Sequence, residues 1–270
     1  MSKLYLVGTP IGNLGDITLR ALDVLKSVDV IACEDTRHSL GLLNYYEIKS
    51  KLIACHKFNE KESIDKIEDI LKEGKSVALI TDAGMPAISD PGAILVDGIK
   101  ARGYEVEVIP GPTAVTSAIA LSGILTPVFT FLGFLPTKTK EKDALLEQFK
   151  AVQTALVIYS SPYDINKDLK YLYKVLGDRE VYIVKELTKI HESCVKMDLK
   201  DAELEDPKGE YVLIVDKGEV VNDAPTASIE EQLKDLVASG IDKKEAIKKV
   251  AKLNGLQKDD VYKVAIELGL

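Results

Sequence analysis

Through the first 120 residues, short continuous apolar runs alternate with stretches of 3.6-residue periodicity. The runs are Leu4 to Val7, Val28 to Cys33, Val77 to Thr81 and Val106 to Ile109. They have the length and unbroken hydrophobicity of strands covered on both faces, as in a parallel sheet built from βαβ units. Thr18 is placed to cap a helix carrying Leu19, Leu22 and Leu25 on one face, and Ser63 to open another with Ile64, Ile67, Ile70 and Leu71 inward. After Pro136 the pattern predicts a helix near Glu141 to Lys150, a strand at Ala155 to Tyr159 and a helix around Ile165 to Leu176. Strands at Val181 to Leu187, Cys194 to Leu199 and Tyr211 to Val215 then suggest a mixed sheet. Val220 to Ser228 reads as a linker. Three short helices follow at Ile229 to Val237, Asp242 to Leu253 and Lys258 to Leu268, with capping-box spacing between Asp242 and Glu245 and a stop at Asn254-Gly255. The expected architecture is α/β: a parallel-sheet domain over 1–120, a mixed-sheet domain over 121–220 and a helix-turn-helix-like segment over 221–270.

Composition narrows the class. Hydrophobic residues at 46% and charged residues at 29% exclude disordered and fibrous architectures. A net charge of −8 excludes a general polyanion-binding coat, so any nucleic-acid contact is a local patch. The lysines of the middle C-terminal helix (Lys243, Lys244, Lys248, Lys249, Lys252) are such a patch, or else a solvated face balanced by Asp242, Glu245, Asp259 and Asp260. Three scattered cysteines and no C-x-x-C pair point away from disulfides and metal, and toward a reducing, cytoplasmic setting. Val108 to Thr137 carries no charge and is long enough to span a bilayer, but Pro110, Pro112, Pro127 and Pro136 break it, so no membrane span is expected.

The chemistry gathers at strand ends. The first strand runs into Gly8-Thr9-Pro10-Ile11-Gly12-Asn13, whose spacing is neither that of a dinucleotide-binding loop nor that of a P-loop. The second ends in Glu34-Asp35-Thr36-Arg37-His38, either a helix cap with exposed neighbours or a substrate-facing cluster. His56, Asn59 and Glu60 follow the next apolar segment. The third and fourth strands end in Asp82-Ala83-Gly84-Met85-Pro86-Ala87-Ile88-Ser89-Asp90-Pro91-Gly92 and in Pro110-Gly111-Pro112-Thr113-Ala114. Three rigid Gly/Pro loops on one sheet edge present backbone groups at fixed positions, as a ligand site requires.

Taken together and in this order, these loops resemble those of the tetrapyrrole methylase superfamily, and within it the ribosomal RNA small subunit methyltransferase I branch. Gly133-Phe134-Leu135-Pro136, Glu186-Leu187-Thr188-Lys189 and Gly209-Glu210 match further landmarks. The resemblance implies two α/β domains with S-adenosylmethionine in the cleft between them, and a homodimer. It also implies methyl transfer to the ribose 2'-hydroxyl of a decoding-centre cytidine in 16S rRNA, presented as free RNA or as the 30S subunit. Carried over by motif, Pro10, Ile11, Asp82, Gly84, Met85, Pro86, Ile88, Ser89, Thr113, Ala114 and Ser160 would hold the cofactor. One departure stands out: Ser161-Pro162-Tyr163-Asp164 replaces a basic motif of relatives, leaving Lys138, Lys140 or Lys142 to supply that contact.

A sulfonium methyl is already activated, so alignment and a proton acceptor for the ribose hydroxyl are what the protein must provide. Glu34, Asp35, Glu60 and His56 are the candidates for the proton, with Arg37 and Lys189 as substrate contacts and no metal. Two rivals remain. A porphyrin-carbon methylase normally carries an acid where Met85 stands, and a nucleic-acid-reading module has no arginine after Arg179 to work with.

Overall fold

The computed structural model describes residues 2–218, 227–254 and 256–270. Its first half is a five-stranded parallel sheet in the order β3-β2-β4-β1-β5. The strands are β1 (Leu4–Val7), β2 (Val30–Cys33), β3 (Lys51–Ala54), β4 (Val77–Leu79) and β5 (Val106–Ile109). Helices α1 (Leu19–Ser27) and α2 (Thr36–Tyr45) cover one face, where Leu25 and Leu43 pack on Val7, Ile31 and Ile80. Helices α3 (Glu60–Lys72) and α4 (Ala93–Ala101) cover the other, where Ile67, Leu95 and Ile99 pack on Leu4, Ala32 and Leu79. Burial on both faces is why these strands read as unbroken apolar runs, each large side chain contributing roughly 1.5–3 kcal/mol. The order sets the carboxyl ends of β4, β1 and β5 side by side, which gathers the three Gly/Pro loops.

Helix α5 (Ala114–Ser122) leads into a second sheet of order β6-β7-β10-β8-β9. Its strands are β6 (Phe129–Phe134), β7 (Ala155–Ser160), β8 (Glu180–Lys185), β9 (Ser193–Asp198) and β10 (Tyr211–Val215). Only β6 and β7 run parallel; the remaining pairs are antiparallel, so the sheet is mixed as expected. Helices α6 (Thr139–Glu147) and α7 (Ile165–Leu176) cover one face through Leu146, Leu169 and Leu172. The opposite face, with Val157, Val184 and Ile214, packs on Val115 and Ala118 of α5 and on Ile11 from the first loop. That shared core joins the two sheets within one compact unit ending at Gly218.

A separate unit holds α8 (Ile229–Ala238), α9 (Lys243–Leu253) and α10 (Lys258–Glu267) around Leu233, Ala246, Val250, Val261 and Ala265. Among the described residues no helix is long and apolar enough to cross a membrane.

Several local expectations change. β3 and β6 are strands that the periodicity did not reveal. α3 starts at Glu60, with Ser63 one turn inside. The capping box with both halves made is Ser228 with Glu231, whereas Asp242 caps α9 by accepting from the Lys244 N–H alone. Most of the anticipated linker, 220–226, and Gly255 lie outside the described residues.

Candidate functional site

The three loops are laced together. The Thr9 N–H donates to the Gly84 carbonyl at 2.9 Å, Gly84 N–H returns a bond to Thr9 at 3.1 Å, and the buried Thr9 hydroxyl donates to the Thr81 carbonyl at 3.1 Å. Gly8 has no room for a side chain: a Cβ there would lie 2.7 Å from Met85 Sδ and 2.8 Å from the Gly111 backbone. Pro10 and Pro86 are buried beneath the loops, and Asp82 is exposed. Between Gly84 and Gly92 the backbone takes a positive φ four times, at Gly84, Ala87, Ser89 and Gly92. Two of these are non-glycine residues, a strain that clusters at functional sites.

Between these loops and the second sheet lies a cleft of about 640 Å³, within the size range of small-molecule sites. Ile11, Gly84, Met85, Ile88, Ser89, Thr113 and Ala114 line it from the loop side. Phe131, Phe134, Tyr159, Val184 and Leu187 line the opposite wall. Tyr159 meets Phe131 and Phe134 edge to face at 4.9 and 5.5 Å, and burial with the nearby Asp90 pushes its hydroxyl up to about 12. A bulge at Gly133 lets β6 come up against the Ser89 hydroxyl. Ser160 also borders the cleft, but its hydroxyl donates to buried Asp168 at 2.7 Å, and Asp168 pairs with Lys142 at 3.2 Å.

The Glu186 to Lys189 turn holds the sheets in place. A Cβ on Gly12 would sit 2.7 Å from Lys189 Cγ and 2.8 Å from the Thr188 hydroxyl, and one on Gly209 would collide with the Glu186 carboxyl. Lys189 Nζ donates to Glu186 and Glu210, each at 2.9 Å.

At the carboxyl ends of β2 and β4, Glu34 and Asp90 flank Thr81, whose hydroxyl is buried without a full hydrogen bond. Burial, then the charges of its neighbours Glu34 and Asp82, raise Asp90 to about 6; burial and Asp82 also push Glu34 upward. Asp35, in contrast, accepts from the Arg37 N–H at 2.8 Å as the cap of α2, and that bond holds its carboxyl below the ordinary range. Glu60 is buried and accepts from the Ile94 N–H at 3.2 Å, tying the start of α3 to the start of α4.

Residues 3–203 match the model of the tetrapyrrole (corrin/porphyrin) methylases. Ribosomal RNA small subunit methyltransferase I of Bacillus subtilis (strain 168) is 40% identical, the match covering 97% of this chain and 93% of that one. The protein of that name from Vibrio cholerae is 44% identical over 98% and 94%. The one from Thermotoga maritima is 44% identical over 80% of this chain and 98% of its own. The chain belongs to the ribosomal RNA small subunit methyltransferase I family. Solved structures of diphthine synthase (TM-score 0.64, 14% identity, 80% of this chain and 90% of that one) and of a Thermus thermophilus uroporphyrin-III-C-methyltransferase (0.58, 19%, 80% and 95%) share the fold.

The family's motif positions converge unevenly. Ile11, Gly84, Met85, Ile88, Ser89, Thr113, Ala114 and Ser160 border the cleft, whereas Pro10, Asp82 and Pro86 shape or flank the loops. Glu34 stands among the acids; His56 follows β3 with its Nδ1 buried and unpartnered. Arg37 projects with 90% of its side chain exposed and only a 3.7 Å approach to Asp35, while Lys189 is engaged by two acids. Of the lysines near the Tyr163-Asp164 departure, Lys138 pairs with Glu141 and Lys142 with Asp168. The sequence did not single out Asp90, Tyr159 or Thr81. Asp90 was visible inside the loop motif, but nothing local says that this loop folds back toward Glu34. Among the described residues no cluster of His, Cys, Asp and Glu is arranged to hold a metal ion.

Proposed function

We propose that the protein transfers a methyl group from S-adenosylmethionine to the ribose 2'-hydroxyl of a decoding-centre cytidine in 16S rRNA, as a cytoplasmic homodimer acting on small-subunit RNA or the 30S subunit. The observation that carries this reading is the 40–44% identity to ribosomal RNA small subunit methyltransferases I over nearly the whole chain. The cleft fits the cofactor. Close-packed glycines keep side chains from covering the loop wall, and the aromatic wall suits a flat heterocycle. The cofactor supplies a methyl already activated on a sulfonium. The chain's part is to hold it, keep water out with Phe131, Phe134 and Leu187, and align the incoming hydroxyl.

Among the carboxylates first considered for the proton, Glu34 is the one not committed to a helix end; Asp35 and Glu60 both hold backbone N–H groups. Arg37 is free to meet an RNA phosphate. The test is incubation with labelled S-adenosylmethionine and small ribosomal subunits from cells lacking the enzyme, then nuclease digestion and mass mapping. Label in a 2'-O-methylcytidine of the decoding-centre fragment is the expected result. Label in uroporphyrinogen and none in RNA would replace the reading with carbon methylation of a porphyrin precursor. Light scattering reads the dimer directly.

A further inference from the structure

Two carboxylates line the cleft, Glu210 and Asp90. Glu210 is paired with Lys189. Among the described residues Asp90 has no such cation; it projects from the strained loop between Ser89 and Pro91 toward the end of the parallel sheet. Pairing of Ala32 with Leu79, continued by the 2.9 Å bond from the Ile80 N–H to the Ala32 carbonyl, sets Glu34 beside Thr81 across β2 and β4. Both side chains leave the sheet on the face of α3 and α4, the face from which the Asp90 loop descends into α4. Between the two carboxyls sits the Thr81 hydroxyl, on a residue only 3% exposed and without a full hydrogen bond. The hydroxyl lies within reach of both carboxyls and is held strongly by neither, so the two acids face each other across it.

We propose that Asp90 is the proton acceptor for the hydroxyl that is methylated, and that Glu34, facing it across Thr81, is the positioning residue that keeps it basic. This rests on the methyltransferase reading above. As the hydroxyl oxygen forms its bond to the methyl carbon, its O–H bond breaks and the proton passes to the Asp90 carboxylate. The carbon–sulfur bond breaks, its electron pair neutralising the sulfonium, and Asp90 later releases the proton to solvent. The charged and titratable groups facing Asp90 are Glu34 from the end of β2, Asp82 from its own loop and Tyr159 from β7; His56 and Asp35 stand behind Glu34. Three acids and a tyrosine against one histidine favour proton uptake, and Asp90 at about 6 is a better acceptor near neutral pH than an ordinary carboxylate.

The experiment uses the full chain with Asp90→Asn and Glu34→Gln, both near-isosteric. In the free protein, carbon-13 NMR of the Asp90 carboxyl should titrate with a midpoint near 6, moving to lower pH in Glu34→Gln. With small ribosomal subunits, Asp90→Asn should lower kcat on the order of 10²–10⁴-fold while the calorimetric Kd for S-adenosylhomocysteine stays within about twofold. Wild-type kcat should rise with pH through that midpoint, and the limb should shift downward in Glu34→Gln. A midpoint in the ordinary carboxylate range, or one unmoved by Glu34→Gln, overturns the pairing regardless of substrate. Full turnover by Asp90→Asn overturns the acceptor role. Wild-type protein that labels no RNA overturns the functional reading and the acceptor role with it, a failure distinct from that of an inactive variant beside an active parent.

Discussion

A carboxyl whose pKa is higher in the folded than in the unfolded chain favours folding while protonated, and that contribution is lost as pH rises through the folded value. Asp90, raised from 3.8 to about 6, is such a group. Asparagine is neutral throughout, so wild type and Asp90→Asn should melt together near pH 4 and separate above pH 6, the variant being more stable. The gain at pH 8 should be about 1–2 kcal/mol once solvent screening of the half-buried site is allowed for, a few degrees in Tm. Circular-dichroism melts at the two pH values decide it: a less stable variant at pH 8 would mean that Asp90 has a cationic partner. Asp35 and Glu60 make the opposite case. Asparagine caps helices as well as aspartate, and a glutamine carbonyl can still accept from Ile94, so Asp35→Asn and Glu60→Gln should keep both fold and turnover. Asp35→Ala should cost about 0.5–2 kcal/mol through α2 alone. Loss of turnover in Asp35→Asn at unchanged Tm would return Asp35 to the chemistry. The residues themselves permitted either role for Asp35, because an acid after a strand and before a helix is both a cap and a potential base; only its bond to the Arg37 N–H decides.

At the scale of elements, the strands legible from the chain were those buried on both faces, such as Val30–Cys33, where the apolar run needs no context. β3 was missed because it is an edge strand of four residues with exposed ends, and β6 because Gly133 and its aromatic neighbours sit in a charge-free stretch without periodicity. The loops were legible as rigid but not as mutually dependent. That dependence gives glycine substitutions opposite signs at different sites. Gly111→Ala places a Cβ 2.9 Å from the Gly8 backbone, which cannot yield, and should cost about 1–3 kcal/mol and weaken cofactor binding. Gly41→Ala, inside α2 with nothing within 4 Å, should instead stabilise by about 0.5–1 kcal/mol and leave binding unchanged. Urea melts and S-adenosylhomocysteine calorimetry on the two variants check both signs; a neutral Gly111→Ala would show that the loops after β1 and β5 move independently.

For the whole molecule, the open question is what the C-terminal unit adds. It buries its own core around Leu233, Val250 and Val261, and it holds about a fifth of the chain. The Thermotoga maritima relative matches 80% of this chain with 98% of its own length, so it manages with a chain shorter by about that share. The family model also ends at residue 203, short of the unit. A chain ending at Gly218 should therefore fold and bind S-adenosylhomocysteine with nearly the parent Kd. RNA should respond differently. Among the described residues none of Lys243, Lys244, Lys248, Lys249 and Lys252 forms an ion pair with an acid, although Asp242, Glu245, Asp259 and Asp260 stand at the starts of α9 and α10. Unpaired lysines on one helix are available to phosphates, and every lysine–phosphate pair that the deletion removes should flatten the slope of log affinity against log salt by about 0.7–0.9. Filter binding of small-subunit RNA across a salt series, with parent and shortened chains side by side, measures that slope. A smaller slope with unchanged cofactor affinity assigns the unit to RNA capture. An unchanged slope assigns its lysines to hydration of an otherwise acidic protein, and turns the search for the RNA contact to exposed cations of the first unit, Arg37 among them.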